Sequence, residues 1–234
     1  MTSAASYPPA SAVASFSTKL ALLSRLLSYP AADFEQVLSM ALATVGGLPL
    51  AEFQQALSEL DQDQREELYT ATFDVMPRCV PYVSIHLFGE ENFKRGEFMA
   101  ALNSQYELQQ FDTEGELPDH LAVILGYAAS LNEPARRELV EFCLLGPLAK
   151  IHSALPDDHP YRFALVALDD TLRGNYPGIQ APLSPLDQMR QHGLCPTVTD
   201  GCNCGPQPQP IIDGPLEHGL AAQAGGSSTS SLTF

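Results

Sequence analysis

The sequence predicts an all-α protein: a single compact bundle of roughly eight to ten helices, followed by a disordered Pro/Gly-rich tail. Three observations carry this. Runs with strict two-residue alternation are nearly absent. Apolar residues recur with helical spacing from about residue 17 to 173. Prolines fall at the ends or in the first turns of those runs rather than in their middles.

In order along the chain, TKLALLSRLLSYP stacks Leu20, Leu23 and Leu27 on one face, with Ser17 or Thr18 as cap and Pro30 as the stop. Asp33 is placed to cap FEQVLSMALATV, which Gly46-Gly47 ends. AEFQQALSEL and QREELYTATFDVM follow, with Asp61 or Asp63 as the cap between them and Pro77 as the halt. PRCVPYVSIHLFGE reads as a loop leading into a short helix, and NFKRGEFMAALNSQYELQ restores the period through Phe93, Phe98, Leu102 and Tyr106. A further helix is expected to open at Pro118. EPARRELVEFCLL, PLAKIHSAL and PYRFALVALDDTLRG complete the set, with Pro134, Pro147 and Pro160 in first-turn positions where a missing N–H costs nothing.

Residues 1–16 and 174–234 are expected to be disordered, leaving 17–173 as the helical domain. The tail carries 8 Pro and 9 Gly in 61 residues and few large apolar side chains, too little burial to offset its ordering entropy.

The formal charge is −16, from 12 basic and 28 acidic residues, a field that repels phosphate backbones and anionic lipid. Nucleic acid is therefore excluded as a partner, and a basic peptide fits. No apolar run approaches the roughly 18 residues of a membrane span, and residues 1–17 lack the basic start of a signal peptide. Five cysteines in a chain of this size point to reduced thiols and a cytoplasmic location.

Motifs for nucleotide binding, a nucleophile elbow and a zinc-protease pair are all missing, so the expectation is a protein without catalytic residues. Cys79 reads as packing. The one metal-like constellation is His192, Cys195, Cys202 and Cys204 in HGLCPTVTDGCNC, which could hold zinc or an iron–sulfur species; no other cofactor is expected. His152 and His159 read as surface residues at a turn. In ELPDHLAVILGY, Pro118 fits a first helical turn, Asp119 is favoured by the helix dipole, and His120 projects beside Glu116. Such a group can be a well-capped helix start, or a polar rim that accepts donors from a bound peptide.

YTATFD (Tyr69 to Asp74), HLFGE followed by KRGEFMAAL, SQYE (Ser104 to Glu107) and ELPDHL stand in this order within some fifty residues. This stretch resembles the NarJ branch of the TorD/DmsD superfamily, chaperones that assemble molybdenum-cofactor enzymes such as nitrate reductase. The similarity runs over about residues 18–173. It implies an all-helical chaperone that binds the apo catalytic subunit of a nitrate-reductase-type oxidoreductase through an N-terminal leader or its remnant, until the cofactor is inserted. Carried onto this chain, the peptide-binding set is Glu116, Pro118, Asp119 and His120, with Phe73, Tyr82, Tyr69 and His86 as further groove residues. Arg95 and Gly96 match the family pattern as contact or helix residues. The cysteine-bearing tail is not part of that pattern, which leaves a metal- or molybdopterin-delivery role as the alternative function.

Overall fold

Local capping and helix-stopping residues set most of the boundaries in the computed structural model, which describes residues 15–75 and 77–192. The helices are α1 (Phe16–Leu26), α2 (Phe34–Thr44), α3 (Leu48–Leu57), α4 (Gln62–Phe73), α5 (Val83–Phe88) and α6 (Lys94–Gln109). After them come α7 (Leu121–Ser130), α8 (Ala135–Leu139), a π-helical turn (Val140–Leu144), α9 (Leu145–Ser153), α10 (Pro160–Asn175) and α11 (Pro185–Gln191). The fold is all-α; the one extended pairing among the described residues is an isolated antiparallel bridge between Tyr82 and His120.

Capping differs in detail from expectation. The hydroxyl of Ser15, not of Ser17 or Thr18, accepts from the Thr18 N–H at 3.1 Å and starts α1. Asp61 forms a full capping box with Gln64 at α4. Asp33 holds the cap position of α2 but makes no cap bond, because both its oxygens are taken by Arg25 at 2.7 and 2.6 Å. Gly46 and Gly47 end α2 and open α3 at φ +69° and +91°, a region that side chains disfavour.

Two boundaries move further. The segments expected as separate helices around Pro147 form one rod. A proline at this point cannot donate to Cys143, and its ring crowds that carbonyl. The chain widens into a π turn just before it, in which the Leu145 N–H bonds to the Val140 carbonyl, and the rod continues through Pro147. Packing also runs past residue 174: Tyr176, Ile179 and Leu186 are buried, and Lys150 pairs with Asp187 at 2.6 Å. Three apolar anchors and an ion pair suffice to order α11, which composition averaged over the whole tail conceals.

α1 lies against α7 and α2, and α10 against α3 and α9. Leu20, Leu23 and Leu26 of α1 are fully buried, each worth about 1.5–3 kcal/mol relative to exposure. Beside this aliphatic layer sits an aromatic one, in which Tyr161 meets Phe73 at 4.9 Å, Phe53 at 5.5 Å and Tyr69 at 5.9 Å. Cys79 is buried, and desolvation pushes its thiol up to about 12, as packing requires. His159 is also buried rather than at the surface, its Nε2 3.4 Å from the Thr72 hydroxyl.

Candidate peptide-binding cleft

The loop before α7 is tied down twice by backbone. The Val83 N–H donates to the Asp119 carbonyl and the Leu121 N–H to the Pro81 carbonyl, both at 2.9 Å, which makes the Tyr82–His120 bridge. α7 therefore opens at Leu121, not at Pro118. Pro118 and Asp119 stand outside the helix, and Asp119 is too far upstream to cap it.

Asp119 is completely buried. Its Oδ2 accepts the Ser84 hydroxyl, and the Arg95 guanidinium lies 3.9 Å away. Arg95 in turn donates to the Ser84 hydroxyl oxygen at 2.9 Å and to the Glu90 carbonyl at 2.8 Å. The three residues lock the starts of α5 and α6 to the loop before α7. Oδ1 of Asp119 has no partner among the described residues.

His120 caps α7: its Nδ1 accepts from the Ala122 N–H at 3.2 Å. That assignment leaves the proton on Nε2, which points to the Tyr69 hydroxyl at 3.4 Å. Burial holds this imidazole below the ordinary histidine range, against the opposing pull of Glu116 and Asp119. Tyr82 packs edge-on to the ring at 5.7 Å, and burial followed by Glu116 raises the Tyr69 phenol. The Pro118 carbonyl accepts from the buried Tyr106 hydroxyl at 2.8 Å.

In front of this layer lies a cleft of about 410 Å³ between α1, the start of α2, Tyr69 of α4, the 111–116 loop and α7. Small residues make its floor: Ser24, Ser28, Ala122 and Gly126. Ser24 donates to the Ala122 carbonyl at 2.6 Å, so α1 and α7 touch there without large side chains. A Cβ on Gly126 would sit 3.2 Å from the Ser24 hydroxyl and 3.3 Å from the Phe111 ring. Phe34, Val37, Phe111 and Val123 give apolar walls, and Asp33, Asp112, Glu114 and Glu116 stand with the single cation Arg25 among the lining residues. Space of this size, with apolar walls and an acidic rim, suits side chains of a cationic, apolar segment.

Of the eight residues expected to bind peptide, Tyr69, Glu116 and His120 line the cleft. Pro118 and Asp119 are buried behind it, Tyr82 is half-buried beside His120, and Phe73 belongs to the aromatic core. His86 lies elsewhere, on α5, where its Nε2–H donates to the Val80 carbonyl at 2.8 Å and burial lowers its pKa. Of the expected metal ligands, His192 is exposed at the end of α11, and Cys195, Cys202 and Cys204 lie outside the described residues. The reading of the sequence missed the opposite wall, Ser24, Arg25, Ser28 and Asp33. A signal existed: Ser24 interrupts the leucine stripe of α1, and Ser28 follows four residues later just past its end, where a core helix would carry apolar residues.

Fold and cleft together describe an all-helical protein with an apolar-walled, acid-rimmed cleft. The family model described as nitrate reductase delta subunit matches residues 41–156, which include α4, the bridge and the 111–121 loop. Over that stretch the chain matches the NarJ type, whose members are redox enzyme maturation chaperones and not catalysts. No functionally curated protein matches the sequence significantly. Among solved structures, a candidate redox enzyme maturation protein from Archaeoglobus fulgidus shares the fold, with a TM-score of 0.51 and 23% identity over 68% of this chain and 95% of its own. No helix among the described residues is long and apolar enough to cross a membrane.

Proposed function

We propose that the chain is a dedicated cytoplasmic chaperone for a nitrate-reductase-type molybdoenzyme. It binds the apo catalytic subunit through that subunit's N-terminal leader or leader remnant and holds it for cofactor insertion and complex assembly. The observation that supports this reading is the cleft: His120, Tyr69 and Glu116 converge there with apolar walls and three further carboxylates. The client segment lays its apolar residues between α1 and α7 and its cations against the rim. Long-range attraction to a chain of −16 charge speeds encounter, and apolar contact sets lifetime. The chaperone contributes no bond-making step; its work is to keep the client unfinished and reachable.

Titration calorimetry with a synthetic N-terminal peptide of the cognate catalytic subunit tests this. Saturable heat at micromolar concentrations, lost in a variant whose cleft is filled, is the expected result. Silence at tens of micromolar overturns the assignment.

A further inference from the structure

The mouth of the cleft contains a mismatch of charge that the fold resolves with its own side chain. Four lining carboxylates face one lining cation, Arg25, near the C-terminal end of α1. Arg25 gives both bonds of one guanidinium nitrogen to Asp33, at 2.7 and 2.6 Å. Asp33 occupies the cap position of α2, where a carboxylate ordinarily accepts the helix's own N–H groups, yet it makes no such bond. None of the ion pairs among the described residues engages Asp112, Glu114 or Glu116. Both partners of the Arg25–Asp33 pair are about half exposed, with side-chain exposures of 53% and 45%, so the pair can open at little cost.

We propose that Arg25 is a tethered stand-in for the client's cation: it holds Asp33 in the free chaperone and gives it up when an arginine or lysine of the bound segment arrives. Resting on the peptide-binding reading above, this adds a built-in competitor to the site. When Arg25 swings away, Asp33 passes to the incoming cation or back to the N–H groups of α2, so neither carboxylate nor helix end is stranded. The effect is a selection for segments cationic enough to win the exchange.

The test uses the full chain and a labelled, acetylated and amidated amphipathic peptide of about 16 residues, with two adjacent arginines ahead of leucines at i, i+3 and i+4. Its companion has glutamines for the arginines. Arg25→Gln is expected to bind the arginine peptide about two- to fivefold more tightly than the native chain at low salt, the size of an exposed ion pair. The two should converge near 0.5 M salt, at about a 4 Å screening length. Arg25→Lys, which keeps the charge but loses the planar fork, should fall between them, and the glutamine peptide should not distinguish the three. If the native chain binds the arginine peptide and Arg25→Gln binds it equally or less well, Arg25 is a client contact or a bystander and the stand-in is overturned. If the native chain fails to bind it at all, the peptide-binding reading itself falls, and this proposal with it.

Discussion

The two sides of the 111–121 loop make opposite uses of the same residue types. On the inner side, Asp119 and His120 are buried and bonded to Ser84, Ala122 and Tyr69, and of the two only His120 lines the cleft. On the outer side, Asp112, Glu114 and Glu116 are exposed; among the described residues, the Asp112 and Glu116 carboxylates accept only from backbone N–H groups of their own loop, and the Glu114 carboxylate has no partner. Within the recognisable ELPDHL signature, Pro118 and Asp119 thus build the loop behind the cleft, while Glu116 stands with its less distinctive neighbours Asp112 and Glu114 on the exposed rim. A motif that is easily seen in a sequence can be the scaffold of a site rather than its contact surface.

If this division is right, the largest effect comes from the inner side. Asp119→Ala strands the Ser84 hydroxyl and the Arg95 guanidinium around an emptied pocket and should cost about 2–3 kcal/mol of stability in urea unfolding. A variant as stable as the native protein would place Asp119 outside the scaffold. Next comes the floor between the two sides. Gly126→Leu should raise the peptide Kd at least about tenfold by filling the cleft, with about 1–3 kcal/mol of overpacking cost. Unchanged affinity in a folded Gly126→Leu protein would show that the segment binds elsewhere.

A smaller effect is set by proton uptake. His120 caps α7 through an unprotonated Nδ1, and burial keeps its folded pKa below the unfolded value of about 6.5. Between those two values the unfolded chain binds the extra proton, so stability is full above about pH 6.5 and is lost as pH falls toward the folded pKa. His120→Asn keeps a capping side chain and should flatten that decline in midpoint scans from pH 7.5 to 5. The slope will not vanish, because burial also lowers His86, His152 and His159. An identical slope in the variant would remove His120 from the titrating set. The smallest change belongs to the outer side. Glu116→Gln should leave thermal unfolding within about 0.5 kcal/mol and weaken a cationic peptide by about two- to fivefold, chiefly through slower association that salt abolishes.

Helices were legible where local chemistry acts alone. Asp61 with Gln64, the Gly46-Gly47 pair and Pro160 each mark a boundary that the fold keeps. Boundaries that depend on distant partners were not. α7 begins three residues after the proline that announces it, because Pro81 and Val83 claim the backbone on either side of His120. α11 orders because Lys150, 37 residues upstream of Asp187, is waiting for it. In the cleft, Glu116 and His120 were visible through the loop that holds them, whereas Ser24, Arg25 and Asp33 carry no motif and enter only because α1 crosses α7 at Gly126.

What the amino-acid order determined by itself was the helical class, the spacing of the segments and the excess of negative charge, since each depends on side chains a few positions apart or on a simple sum. What only the tertiary structure decided was which carboxylates face inward. Asp119 and Glu116 lie three residues apart in one loop, and one is sealed behind Ser84 and Arg95 while the other is left to solvent. That difference is set by the packing of α5 and α6 against the loop, contacts between parts of the chain whose meeting no local pattern encodes.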